Sequence, residues 1–182
     1  MANIFIIAAP SGCGKTSLVK ALIEDSKNLS VSVSHTTRKA RQGEIDGKNY
    51  HFVSKEKFEK MISNQEFVEY AEVFGNMYGT TKKNIKEKLD KNIDIILEID
   101  WQGARQVRQN IFDAISIFIL PPSKKALLER LTTRGQDDEI TISKRMENSE
   151  REMSHFNEFS YLIINDQFDS ALNNLKAIIN DF

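Results

Sequence analysis

The stretch that decides the fold is Ile-Phe-Ile-Ile-Ala-Ala-Pro-Ser-Gly-Cys-Gly-Lys-Thr at positions 4–16. Its continuous apolar run at 4–9 predicts a strand that is buried on both faces. The proline and glycines at 10–14 end that strand, and from Lys15 the apolar residues of 18–23 recur at helical spacing. A strand, a glycine-rich turn and a helix form the first half of a βαβ unit.

The rest of the chain continues this alternation of strands and helices. Apolar runs of the same kind occur at 93–99, 115–120 and 161–164. Buried strands that alternate with helices predict an α/β fold with a parallel sheet covered on both faces. Between 33 and 92, apolar and polar residues alternate, which predicts a small α+β insertion whose strands have one wet face. The polar stretch 130–151 is expected to be mostly helical and to form a lid.

Composition narrows the class of protein. The 182 residues include 25 Lys and Arg against 26 Asp and Glu, a net charge of −1, so general attraction to nucleic acid or to an anionic membrane is not expected. The single cysteine, Cys13, excludes a disulfide framework, and His35, His51 and His155 show no zinc-ligand spacing with it. No apolar run approaches the ~20 residues of a membrane-spanning helix. We expect one domain, 1–182, in the cytoplasm.

Residues 9–16 fit the phosphate-loop pattern G-x-x-x-x-G-K-[ST], except that Ala9 replaces the first glycine. In such a loop the backbone N–H groups surround a phosphate at a helix N-terminus. Lys15 would place a cation on the β- and γ-phosphates, and the Thr16 hydroxyl would bind Mg²⁺. The alternative is an ordinary glycine turn before a helix. The buried-type strand before the loop and the helix after it favour the phosphate loop.

Asp100 follows the apolar run at 93–99. An acid at the carboxyl end of a strand, near a phosphate loop, suits a metal-side or a substrate-side role. Glu98, two residues earlier on the same face of the strand, is a rival for that role. Many strands end in Asp, so the assignment of Asp100 depends on the phosphate loop.

Two arginine pairs are candidates for binding an anionic substrate. Arg38 and Arg41 are three residues apart and can converge on one anion, since the planar guanidinium suits phosphate oxygens. A solvated basic loop is the alternative for this pair. Arg134 and Arg145 can reach a transferring phosphoryl group if the polar stretch closes. The alternative there is a surface helix whose arginines pair with nearby glutamates.

A long, gapped pattern then points to a family. The form T-[ST]-R-x-x-[KR]-x-x-[DE]-x-x-G-x-x-Y-x-[FY] is filled at every position. The residues that fill it are Thr36, Thr37, Arg38, Arg41, Glu44, Gly47, Tyr50 and Phe52. Together with the segments at 98–103 and 164–166, this pattern closely resembles the guanylate kinase family over essentially the whole chain.

The resemblance implies a P-loop nucleoside-monophosphate kinase fold, with a parallel sheet core flanked by helices at 1–32, 91–124 and 156–182. It also implies an α+β GMP-binding insertion at 33–90 and a helical lid at 125–155. The implied activity is transfer of the γ-phosphoryl group of ATP to GMP, with Mg²⁺ as the cofactor. The implied partners are these two nucleotides, without nucleic acid or membrane, on a monomer or small homo-oligomer.

The resemblance also implies particular site residues. Those at the GMP site are Ser34, Arg38, Arg41, Tyr50, Glu69, Tyr78, Thr80 and Asp100. Those at the ATP site are Ala9, Pro10, Ser11, Gly12, Cys13, Gly14, Lys15, Thr16 and Asn165. The implied catalytic cations are Lys15, Arg38, Arg134 and Arg145, with Arg130 as a weaker candidate. The implied Mg²⁺ ligands are Thr16 and Asp100.

Two other functions stay open on the sequence alone. A non-catalytic guanylate-kinase-like binding module is expected to have a damaged phosphate loop, whereas Gly14, Lys15 and Thr16 are intact here. The second is a nucleoside-monophosphate kinase with another base specificity. Glu69 disfavours it, since one carboxylate can accept both the N1–H and the N2–H₂ donors of guanine.

Overall fold

The computed structural model describes residues 2–111, 113–133 and 138–182. Its strands are β1 (Ile4–Ala8), β2 (Leu29–Val31), β3 (His35–Thr36), β4 (His51–Phe52), β5 (Phe67–Val73), β6 (Asn76–Thr81), β7 (Asp94–Glu98), β8 (Ile115–Leu120) and β9 (Tyr161–Ile164). Its α-helices are α1 (Lys15–Glu24), α2 (Lys55–Ser63), α3 (Lys82–Leu89), α4 (Trp101–Asn110), α5 (Lys124–Thr133), α6 (Glu139–Met153) and α7 (Phe168–Asn180). A short 3₁₀ helix covers Phe156–Glu158.

These elements fall into two compact units. The first consists of Met1–Ile4 and Asn28–Ala114, and the second consists of Phe5–Lys27 and Ile115–Phe182. The predicted boundaries of the core, the insertion and the lid divide the chain at other points, and they stay predictions.

The first unit contains two groups of strands. β2 pairs with β7 in parallel, with Leu29 opposite Asp94 and Val31 opposite Ile96. The other group is a four-stranded sheet in the order β4-β3-β6-β5. In that sheet β3 and β4 are parallel, and the other neighbours are antiparallel. This combination of short strands and helices confirms the α+β character predicted for 33–92.

A small apolar core packs α2 against the four-stranded sheet. Phe58 and Met61 of α2 are buried with Phe67 of β5, and the rings of Phe58 and Phe67 stack with centroids 4.5 Å apart. Ser54 fixes the start of α2, because its hydroxyl accepts a hydrogen bond from the Lys57 N–H at 3.2 Å. The sheet that contains part of the family pattern at 36–52 therefore has its own apolar support.

The second unit is built on three parallel strands in the order β1-β8-β9. Phe5 lies opposite Ile115, and Ile117 lies opposite Tyr161. Helix α1 packs against α7, and α7 packs against β9. Because the three strands run in the same direction, their carboxyl ends lie at one edge, where the loop at 9–14 follows β1.

The four apolar runs predicted strands β1, β7, β8 and β9 to within one residue at each end. The run at 4–9 corresponds to β1 and the run at 93–99 to β7, while the runs at 115–120 and 161–164 have the same ends as β8 and β9. The polar stretch 130–151 contains the end of α5 and most of α6, as expected for a helical segment. In the described part of the chain, no helix is long and apolar enough to cross a membrane.

Candidate active site

The phosphate loop of the second unit has the backbone of an anion site. Gly12 and Gly14 have φ of 88° and 83°, in the left-handed region that favours glycine. Gly14 is the N-cap of α1, it makes no side-chain cap, and no acidic residue lies in the first turn of that helix. No carboxylate in the first turn therefore neutralises the positive end of the helix, which suits a bound phosphate.

The Asn165 side chain holds the backbone of this loop. Its Nδ2 donates to the Cys13 carbonyl at 2.7 Å, and its own carbonyl accepts from the Arg130 guanidinium at 2.8 Å. A Cβ at Gly14 would lie 2.6 Å from the Asn165 Nδ2, so only glycine fits above the amide. The structure thus places Asn165 against the loop backbone, with 5% of the residue exposed. Its predicted contact with the nucleoside end of ATP stays a prediction.

The other predicted ATP-side residues have different surroundings. Lys15 is half-buried at the start of α1, and Thr16 beside it is exposed. Arg145 is half-buried on α6, and Arg134 lies outside the described residues. An open hollow of about 560 Å³ adjoins Arg130 in the same unit. The residues that line it are Pro122, Ala126, Glu129, Arg130, Thr133 and Asp166.

The Cys13 thiol is part of the loop interior. The residue is fully buried, and this burial raises the pKa of the thiol to about 12. Nearby Arg130 lowers that pKa and Glu152 raises it, both by smaller amounts than burial. The thiol is therefore protonated at neutral pH, which agrees with a small loop residue rather than a nucleophile.

Glu69 of the first unit is a carboxylate in a polar pocket. It lies on β5 opposite Thr80 of β6, and 3% of it is exposed. Burial raises the pKa of Glu69 to about 7, hydrogen bonds with Thr80 oppose the rise, and the charge of Asp100 adds to it. The Ser34 hydroxyl lies 3.4 Å from the Thr80 hydroxyl. Two hydroxyls and a buried carboxylate, all predicted from the sequence, thus meet at one place.

Asp100 begins α4 beside this pocket. Its Oδ1 accepts from the Gly103 N–H at 2.8 Å, and its Oδ2 accepts from the Gln102 amide at 2.9 Å. The side chain is thus the N-cap of the helix, and its charge acts on Glu69. The substrate-side role of Asp100 and its role as a metal ligand both stay predictions.

The predicted phosphate-binding residues of the first unit surround Arg38. Its guanidinium donates two hydrogen bonds to Glu44, at 2.9 and 2.7 Å, and lies 5.4 Å from the centre of the Tyr50 ring. The bond with Glu44 is the main cause that raises the pKa of Arg38, and a hydrogen bond with Tyr78 adds to it. The rings of Tyr50 and Tyr78 lie 5.9 Å apart. Arg38, Tyr50 and Tyr78 are therefore brought together as predicted.

Arg41 is placed differently from Arg38. Its side chain is exposed, and its main-chain N–H donates to Glu44 Oε2 at 2.7 Å. Glu44 thus joins the two arginines, although the sequence presented it only as one position of the family pattern. In the sequence, the available signal for the contact between Arg41 and Glu44 was their three-residue spacing.

Taken together, the βαβ phosphate loop, the buried carboxylate with its hydroxyls and the Arg–Tyr cluster define a P-loop α/β protein with nucleotide-binding chemistry. The family model of guanylate kinase matches residues 1–182. The chain therefore belongs to the guanylate kinase family.

Individual relatives agree with this assignment. The chain is 57% identical over 179 residues to a guanylate kinase of Vibrio vulnificus strain YJ016, covering 97% of this chain and 86% of the relative. It is 56% identical over 177 residues to a guanylate kinase of Saccharophagus degradans, with the same coverage. The crystal structure of guanylate kinase from Anaplasma phagocytophilum matches with a TM-score of 0.81 at 35% identity, covering 99% of this chain and 85% of that one. The predicted fold class is confirmed.

Proposed function

We propose that the protein transfers the γ-phosphoryl group of ATP to GMP, giving ADP and GDP. The observation that carries this proposal is the buried Glu69 with the Thr80 and Ser34 hydroxyls, in a chain of the guanylate kinase family that retains Gly14, Lys15 and Thr16 of the phosphate loop. In this proposal, the protein acts on free nucleotides in the cytoplasm, as a monomer or small homo-oligomer.

Base choice follows from the donors and acceptors of the purine. Guanine presents N1–H and N2–H₂ as neighbouring donors, and an ionised Glu69 accepts both. Adenine presents a bare N1 acceptor, which would face the carboxylate without a partner. Sites that depend on hydrogen bonds reject the wrong partner by up to about 10⁴–10⁵-fold, because buried polar groups are left unpaired.

The acceptor phosphate needs cations rather than a general base. A phosphate monoester has a second pKa near about 6, so its oxygens are already largely ionised at pH 7. The barrier lies in bringing two anions together in line. Arg38, Tyr50 and Tyr78 would hold the GMP phosphate, and Arg41 would join them by turning its exposed side chain inward. Lys15, Arg134 and Arg145 would stabilise the charge on the transferred group.

The implied Mg²⁺ matches the chemical type of the oxygen ligands that the chain provides. Thr16 provides an exposed hydroxyl and Asp100 a carboxylate, and both are the hard oxygen ligands that Mg²⁺ prefers. Both Asp100 oxygens already accept hydrogen bonds from α4, and each retains a further lone pair for a ligand. When bound, Mg²⁺ would neutralise charge on the β- and γ-phosphates of ATP.

The test is release of ADP from ATP and Mg²⁺ by the pure protein, with GMP, AMP, CMP or UMP added in turn. We expect release with GMP alone. Release with a different monophosphate would keep the kinase activity but remove the role given to Glu69. A folded protein that binds GMP and releases no ADP with any of the four would be a binding module instead.

A further inference from the structure

The strand that carries Glu69 lies at the end of its sheet. β5 is the last strand in the order β4-β3-β6-β5. Alternate residues of a strand direct their main-chain groups to opposite edges, so an end strand leaves every second N–H and C=O without a strand partner. Glu69 pairs with Thr80 on the β6 side. The main-chain groups of Val68 and Tyr70 therefore face the other edge.

Helix α4 supplies partners to that edge through two amide side chains. Gln106 accepts from the Tyr70 N–H at 3.1 Å and donates to the Tyr70 carbonyl at 2.7 Å. Asn110 donates to the Val68 carbonyl at 3.0 Å. The two amides take the place of a neighbouring strand, and they hold β5 on both sides of Glu69.

Gly103 lies on the same face of α4, three residues before Gln106 and seven before Asn110. A Cβ at this position would lie 2.5 Å from Glu69 Oε2 and 3.2 Å from its Cδ. The carboxylate therefore occupies space that every residue other than glycine would fill. Helix α4 thus restricts the position of the Glu69 carboxylate as well as the position of the β5 backbone on either side of it.

Packing alone does not account for this polar face. Ala104 and Val107 provide the buried apolar contacts of α4, and neither Gln106 nor Asn110 is fully buried. Ordering the Gln106 side chain costs more conformational entropy than ordering a leucine or isoleucine would, and an apolar residue there would leave the main-chain groups of Tyr70 without these hydrogen bonds. What the amides add is a fixed position for the backbone of β5, and recognition by hydrogen bonds requires placement within about 0.5 Å.

We propose that Gly103, Gln106 and Asn110 are positioning residues for base choice, which act by holding the Glu69 carboxylate where both donors of a guanine can reach it. This inference rests on the proposed function of Glu69. None of the three residues needs to touch the nucleotide. Their loss would therefore change selectivity between bases more than it changes the fold.

The test compares Gln106→Met and Gly103→Ala with the control Gln109→Met, which changes an exposed glutamine on the same helix. Dissociation constants for GMP, IMP and ATP are measured by titration. IMP keeps N1–H but lacks the N2 amine, so the GMP-to-IMP ratio reports the placement of the carboxylate. We expect both variants to weaken GMP binding by about 10–100-fold, the range for a misplacement near 1 Å, and to reduce that ratio. ATP binding and the control should change less than about twofold, within the ordinary scatter of surface substitutions.

A second measurement excludes a purely structural role. In a Glu69→Ala background, Gln106→Met should have no further effect on GMP binding, because its effect passes through the missing carboxylate. An equal loss of GMP binding in both backgrounds would overturn the proposal, as would an ATP affinity that falls together with the GMP affinity. Because binding is titrated directly, this result is separate from ADP release, whose absence in the wild type would contradict the proposed function instead.

Discussion

At the scale of single residues, Glu69 is the group on which the proposed recognition of the base depends. An amide in its place would direct an NH₂ group towards the donors of guanine, while contacts to the ATP side would be unchanged. We expect Glu69→Gln to weaken GMP binding by about 100-fold or more, as expected when a buried polar contact is left unpaired, with little change for ATP. Titration with each nucleotide measures both, and equal losses would remove Glu69 from the base pocket.

The raised pKa of Glu69 predicts a pH dependence of its own. The shift from 4.5 to about 7 means that the folded protein keeps a proton that the unfolded chain releases between these values. The contribution of Glu69 to the free energy of unfolding therefore falls as the pH rises from 4.5 to about 7, and it is constant above that. The proposed binding of guanine requires the ionised form of Glu69, so GMP binding near pH 6 should release this proton.

The ionised fraction of a group with pKa near 7 rises about tenfold between pH 6 and pH 8. Between pH 6 and pH 8, we expect the GMP affinity of the wild type to rise about tenfold more than that of Glu69→Gln. The change that remains in the variant reports ionisation of the GMP phosphate. Calorimetry in two buffers with different ionisation enthalpies would count the proton. Parallel pH curves for the two proteins would show that Glu69 is already ionised.

At the scale of elements, the phosphate loop contacts Asn165, which is far from the loop in sequence but belongs to the same unit. Gly14→Ala combines an unfavourable φ of 83° with a methyl group 2.6 Å from the Asn165 amide. We expect ATP affinity to fall more than tenfold, because the loop must move to relieve the contact, while GMP affinity stays the same. Gly75→Ala is the matched control, since its φ is 74° and no atom lies within 4 Å of the added Cβ. Similar ATP affinities in the two variants would show that the contact with Asn165 is unimportant.

The sequence contained the phosphate loop and the family pattern, but it did not contain the side-chain contacts that support the two sites. The phosphate loop was predictable because residues 9–16 contain the motif, with Ala9 in place of its first glycine, between a buried strand and an amphipathic helix. The bond from Asn165 to Cys13 joins residues 152 positions apart, and the bonds between Gln106 and Tyr70 span 36 positions. Neither pair has a pattern of spacing that predicts contact. Gly103 likewise looks like any helical glycine until the position of Glu69 is known.

At the scale of the whole molecule, each compact unit contains the residues proposed for one nucleotide. Lys15 belongs to the second unit, and the predicted guanine pocket belongs to the first. We expect Lys15→Met to reduce kcat by about 10³-fold, comparable to the loss of other charges that stabilise a transferring phosphoryl group. Binding of GMP in the absence of ATP should change less than about twofold, within the scatter of a substitution remote from the ligand. A large loss of GMP affinity in this variant would show that Lys15 also contributes to the acceptor site.

The pair formed by Arg38 and Glu44 has a consequence for the ions that accompany nucleotides in a cell. Arg38 carries an internal counterion, held by two hydrogen bonds of 2.9 and 2.7 Å. An incoming anion must compete with that carboxylate instead of meeting an unneutralised positive charge. Inorganic phosphate and sulfate bring nothing to offset the competition, whereas a nucleotide brings a base that binds elsewhere in the same unit. In the proposed acceptor site, this pair would therefore disfavour abundant small anions and favour a complete nucleotide.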